Sequence, residues 1–201
     1  METENRSFTA LPCKDFVEIL ASKAAVPGGG GASALVGSIG VALGHMVGSL
    51  TLGKKKYAAV EENIQRCQQQ ANALAKRLLD LMDEDARAFE PLSKAYGLPH
   101  ATPEETARKA QVMEQALLTA CGAPMEILRA CAEAIDLMAE YAAKGSRLAL
   151  SDAGAGAALL KGALQAASLN IYINAKSLQD RAAADRLTAE ADRGRIRGKG
   201  R

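Results

Sequence analysis

Apolar residues recur at steps of three and four along one long stretch of this chain: Val60, Ile64, Cys67, Ala71, Leu74, Leu78 and Leu81, then Asp85, Ala88 and Leu92. Such steps put every member on one face of an α-helix and predict a helix packed in a bundle. A shorter helix is expected to start near Cys13, with Phe16, Val17, Ile19 and Leu20 on its apolar side, and to stop before Pro27, because proline restricts the residue ahead of it. From about Ser33 to Leu52 the chain is small and apolar. That stretch predicts another helix, although Gly37, Gly40, Gly44 and Gly48 each weaken it by about 1 kcal/mol relative to alanine, so close packing has to compensate. The long stripe ends at GLPHATPEE, where Gly97 and Pro99 break it. Thr102, Pro103 and Glu105 then offer an N-cap, a first-turn proline and a capping box. The next helix should reach Lys144, bent or broken near Gly122 and Pro124, with Gly145 as its stop. A fifth is expected from SDAG, at 151–154, to about Ala191; LNIYIN, at 169–174, is the one place where a strand competes.

Composition supports the periodicity. The chain has no Trp, 3% aromatic residues and many Ala, Leu, Lys, Glu and Gln, a helical composition whose core must come from many close small contacts. The expected fold is all-α: a single-domain bundle of about five long helices over residues 1–192, with a basic, disordered tail at 193–201. Twenty-five Lys and Arg against 23 Asp and Glu give no argument for a nucleic-acid or anionic-membrane partner. The four cysteines, Cys13, Cys67, Cys121 and Cys131, contain no C-x-x-C pair, and only His45 and His100 could join them, so a zinc or iron-sulfur site is not expected. METENR is a polar start rather than a secretory leader, and the expected compartment is the reducing cytoplasm.

Two glycine patterns mislead. Gly29-x-Gly31-x-x-Ala34 has the spacing of a dinucleotide fingerprint, but a helix precedes it and no acidic residue follows about twenty positions on. Gly48-SLTL-Gly53-Lys54 has Walker A spacing, but Lys55 stands where Ser or Thr must hold magnesium. Ala32–Leu52 is long enough to span a bilayer and has small-xxx-small steps. His45 and several serines inside it, with charged faces on every other helix, favour a buried central helix.

Candidate chemistry centres on Asp85. It occupies a core position of the stripe, whereas Asp83 and Glu84 point elsewhere. A carboxylate there must be paired, hydrogen-bonded or protonated; it is either a helix-end or lysine-capped residue, or a general acid or base with a pKa raised by burial. Lys54, Lys55 and Lys56 are either cations at a helix C-terminus or a trap for an anionic substrate tail. Ser151 and Asp152 are an N-cap or polar anchors in a pocket. Asn170 and Asn174, one turn apart, are interface amides or ligand contacts, and His45 reads as a satisfied core histidine.

Taken in order, PGGGGASALVG, LTLGKKKY, DEDARAF, LPHATPEE, SDAG and LNIYIN resemble the cyclodeaminase/cyclohydrolase family of folate enzymes over about residues 10–185. The resemblance implies a helical, dimer-forming subunit that binds folate in a cleft without metal or organic cofactor. It places the catalytic aspartate on Asp85 and lines the folate site with Gly28, Gly29, Gly30, Ser33, Lys54, Lys55, Lys56, Ser151, Asp152 and Asn174. Gly31 departs from the family's usual Ser, whose hydroxyl Ser33 could replace. The expected activity is hydrolysis of 5,10-methenyltetrahydrofolate to 10-formyltetrahydrofolate by a homodimer, with polyglutamylated folate as a candidate substrate. The alternatives are a formimidoyltetrahydrofolate cyclodeaminase and a non-enzymatic helical interaction protein.

Overall fold

The computed structural model describes residues 7–199, and every regular element in that span is helical. Six α-helices follow one another: α1 Cys13–Leu20, α2 Gly29–Ser49, α3 Glu61–Tyr96, α4 Pro103–Lys144, α5 Leu150–Ser177 and α6 Arg181–Lys199, with short 3-10 turns at Phe8–Ala10, Lys55–Val60 and Arg147–Ala149. LNIYIN lies inside α5, so the competing strand is not formed. METENR, Gly200 and Arg201 lie outside the described residues.

The stripe on α3 faces inward as its period requires. Ile64, Cys67, Ala71, Leu74, Leu78 and Leu81 are all buried. Thr102 caps α4: its hydroxyl accepts from Glu105 N–H at 3.2 Å while the Glu105 carboxylate accepts from Thr102 N–H at 3.1 Å. This reciprocal box is worth about 1 kcal/mol. At the other end of α4, Gly145 N–H closes the last turn on the Tyr141 carbonyl at 2.8 Å.

Among the described residues α2 is the one helix long and apolar enough to cross a membrane, and α3, α4 and α5 all pack on it. Its glycines make this possible. A Cβ on Gly40 would lie 2.9 Å from the Gly156 carbonyl oxygen, and one on Gly156 would lie 2.7 Å from that of Gly40, so α2 and α5 touch backbone to backbone. Dispersion gained along that crossing offsets the helix cost of glycine. Gly29 of α2 faces Asn170 of α5 as Gly40 faces Gly156, so the two helices run antiparallel.

The structure bears on five expectations, one met and four corrected. First, α1 does stop before Pro27, at Leu20. Second, α2 starts at Gly29, so Gly29–Gly31 form its first turn rather than a loop. Third, α4 passes unbroken through Gly122 and Pro124. Pro124 has no N–H for the Ala120 carbonyl, and Asn174 Nδ2 donates to that oxygen instead, at 3.4 Å. Fourth, the expected fifth helix is two helices. Leu178 is extended, and the Glu114 carboxylate accepts from the Gln179 and Asp180 N–H groups at 2.8 and 2.9 Å, while Asp180 Oδ1 caps Ala183 N–H at 3.0 Å. Fifth, residues 193–199 continue α6 instead of forming a disordered tail. Arg195 lies over the Tyr172 ring, 5.8 Å from its centroid, and donates to its hydroxyl at 3.3 Å; Arg129 pairs with Glu190.

All four cysteines are free; Cys13 is exposed, and Cys67, Cys121 and Cys131 are buried. Burial pushes the Cys121 thiol up to about 11 and the Cys131 thiol up to about 12.

Candidate active site

Asp85 sits on α3, one turn beyond the buried Leu81, and is half-buried. Its carboxylate rests on the first turn of α2. Oδ2 accepts from Gly31 N–H at 2.9 Å, and a Cβ on Gly30 would lie 2.1 Å from Oδ1. No residue but glycine fits at position 30 while the aspartate keeps its place. The N-cap of α2 is Gly28, which brings no side chain to the helix, so Asp85 supplies the missing cap from another helix and meets the positive end of the α2 dipole. Helix geometry leaves the N–H groups of Gly29 and Gly30 without intrahelical acceptors.

Burial is the larger influence on this carboxyl and holds its pKa above the usual carboxylate range; the Gly31 N–H pulls the other way. The group therefore stays close to a protonation change at milder pH than a surface aspartate, as a proton-transferring group should. Asp83, two residues earlier, serves the fold: it accepts from the Ser7 hydroxyl and, at 2.8 Å, from Phe8 N–H. Phe8 in turn packs edge-on against Phe16, centroids 6.3 Å apart. Together these contacts pin the chain ahead of α1 beside the α2–α3 contact.

The other residues singled out from sequence divide into two groups. Gly28, Gly29, Gly30 and Ser33 share the Asp85 end of α2, although the Ser33 hydroxyl donates to the Gly29 carbonyl at 2.5 Å and spends its proton there. Lys54, Lys55 and Lys56 are exposed beyond the opposite end of α2, which at 21 residues is about 30 Å long. The antiparallel course of α5 puts Ser151 and Asp152 at that far end too, in the first turn of a helix whose N-cap is Ala149, so neither residue is the N-cap of α5. One subunit thus does not gather the lysines, Ser151 and Asp152 around Asp85. Asn174 is buried and occupied with the Ala120 carbonyl.

Asn170 is the neighbour that the ordered residue patterns undervalue. Its amide nitrogen and oxygen lie 3.4 and 3.5 Å from where a Gly29 Cβ would be. The sequence signal was only its one-turn spacing from Asn174. His45 is half-buried, with Nδ1 3.5 Å from both Ser49 Oγ and Gln68 Nε2, and Gln68 in turn accepts from the Tyr141 hydroxyl at 2.7 Å. A groove of about 660 Å³ opens between α3, α4 and α6, but its walls do not include Asp85, and among its charged side chains Arg129 pairs with both Glu126 and Glu190. Among the described residues, no three of His, Cys, Asp and Glu converge as metal ligands.

Residues 12–193 match the profile of the family described as "Formiminotransferase-cyclodeaminase". The chain is 42% identical over 177 residues to a methenyltetrahydrofolate cyclohydrolase of Methylorubrum extorquens, covering 88% of this chain and 85% of that protein. It is 32% identical over 175 residues to the formimidoyltransferase-cyclodeaminase of Sus scrofa, where it covers 87% of this chain but spans only 32% of the relative. The crystal structure of a formiminotetrahydrofolate cyclodeaminase from Thermotoga maritima superposes with a TM-score of 0.85 at 27% identity, covering 96% of this chain and 92% of that one.

Proposed function

This chain belongs to the formiminotransferase-cyclodeaminase family, and from that premise we infer that it is a methenyltetrahydrofolate cyclohydrolase. The observation that carries the reading is the Asp85 carboxylate fixed at the glycine turn of α2, in a relative of a cyclohydrolase matched over most of both lengths. The substrate's methenyl bridge is a cationic amidinium, so it brings its own electrophile and the reaction needs no resident metal or cofactor. Water oxygen bonds to the bridge carbon, the C=N π pair moves to nitrogen and neutralises the cation, and Asp85 takes the water's proton. The resulting carbinolamine opens when the bond from that carbon to N5 breaks. N5 keeps the bonding pair and receives the proton held by Asp85, the hydroxyl releases its own proton to solvent as the C=O bond forms, and the formyl group stays on N10. Before attack, the same carboxylate attracts the cation.

Following the ultraviolet absorbance of 5,10-methenyltetrahydrofolate beside ammonia release from formiminotetrahydrofolate tests this reading. Hydrolysis that dominates supports it. Ammonia release that dominates assigns the cyclodeaminase reaction named for the mammalian and Thermotoga relatives, and a folded chain with neither activity is a helical interaction protein.

We place the enzyme in the cytoplasm as a homodimer joined across the outer face of α2 and α5. On α2 Ile39, Met46 and Leu50 stand exposed, and on the neighbouring α5 Gly154, Ala158 and Gly162 are exposed, where an added Cβ on either glycine meets nothing within 4 Å. A large-residue ridge next to a small-residue groove is self-complementary, which an isologous interface requires. Over the roughly 30 Å that α2 runs beside α5, two helices each about 10 Å across offer roughly 600 Å² per copy, near the lower bound for a stable dimer. Sedimentation should give a dimer that Gly162→Leu weakens; a wild-type monomer would reject the assembly.

A further inference from the structure

We infer that Asn170 is a positioning residue for the attacking water, a role that rests on the hydrolytic reading above. Asn170 is half-buried on α5. Its Nδ2 donates to the Ala166 carbonyl at 3.0 Å, which fixes the amide and leaves Oδ1 as an acceptor with no partner inside the subunit among the described residues. Across the first turn of α2, Asp85 Oδ2 is likewise held by Gly31 N–H while Oδ1 stays open over Gly30.

The two side chains pack against consecutive glycines: Asn170 on Gly29 and Asp85 on Gly30. Side-chain positions one residue apart on a helix are roughly 5 Å apart and point about 100° round its axis, so the two side chains flank the start of α2, and the proposed water bridges their open oxygens through two hydrogen bonds of about 2.8 Å. The chemistry asks for this pairing. An attacking water has two O–H bonds, and two acceptors that hold both leave its lone pair pointing outward to an electrophile. Asp85 takes one proton; Asn170 Oδ1 holds the other O–H in line and takes none. Each oxygen is free because its partner atom, Nδ2 or Oδ2, is already anchored to backbone. Deamination of a formimino group has no attacking water at this step, so the role belongs to hydrolysis.

Asn170→Leu keeps the volume and removes the acceptor, and Asn170→Asp restores an oxygen. The expected result is a kcat for methenyltetrahydrofolate hydrolysis about 100-fold lower in the Leu variant, with KM and melting temperature little changed, and substantial recovery of kcat in the Asp variant. An unchanged kcat in the Leu variant overturns the inference. So does a rise in KM alone, which would make Asn170 a substrate-binding group, and so does an equal loss in both variants, which would make the amide structural. A folded wild-type chain that does not hydrolyse the substrate overturns both this role and the function proposed above, whereas a failure confined to the variants leaves that function standing.

Discussion

Asp85 performs two tasks that one substitution separates. Its carboxylate caps α2 and is the proposed base; Asp85→Asn keeps an oxygen for Gly31 N–H but cannot take a proton. The expected kcat loss is about 10²- to 10⁴-fold, with a melting temperature equal to or above wild type, because a half-buried charge has been removed. The pH dependence follows from the raised pKa. The ionised form does the work, so turnover climbs as pH rises through a value above the usual aspartate range. Stability runs the other way: the folded state holds the proton more tightly than the unfolded chain, so stability declines as pH rises from the unfolded pKa to the folded one. Thermal melts of wild type and Asp85→Asn across that interval should converge at the acidic end; a wild-type curve without the slope would remove the burial argument. The sequence pattern located this residue because a carboxylate interrupts an apolar stripe. It did not show that the space above Gly30 is filled by Asp85, since that contact joins positions far apart in the chain.

At the scale of elements, legibility tracks whether the signal is local. The α3 stripe and the Thr102–Glu105 box are local and formed as expected. The start of α2 was hidden because glycine is a poor helix former, and the cap that compensates is on α3. The break between α5 and α6 contains no Gly or Pro; it is made by Glu114, 65 residues upstream of Gln179. Conversely, Pro124 and Gly122 signal a break in α4 that a neighbouring helix repairs. Asn174 answers the Ala120 carbonyl that the proline leaves unpaired, so a residue placed in the folate site by resemblance is, in one subunit, a splint for α4. Asn174→Leu should cost about 1–3 kcal/mol in urea unfolding, because a carbonyl without a partner stays behind. A stability within error of wild type would show that the carbonyl finds another donor.

Over the whole molecule, the candidate site was legible as a set of residues but not as a place. Lys54–Lys56 and Asp85 belong to opposite ends of a helix about 30 Å long, a separation invisible in a motif list. Within one subunit the lysines are out of reach of the reacting end of a folate. Replacing all three by Ala should leave kcat/KM for the monoglutamate within about twofold of wild type and weaken a polyglutamylated substrate by a larger factor, since only a long anionic tail could reach them. Steady-state kinetics with both substrates decide this; equal losses would mean that the lysines approach Asp85 by another route, such as the proposed partner copy.

The thiols supply a clock. At pH 8 a thiol with a pKa of about 11, as for Cys121, or about 12, as for Cys131, is ionised to about one part in a thousand or less, and burial shields the sulfur as well. A thiol reagent should therefore consume Cys13 at once and the three interior cysteines only as fast as the helices part. The slow phase times the breathing of the α2–α4 contact, where Cys131 Sγ faces Gly37, and a bound folate that clamps the bundle should lengthen it.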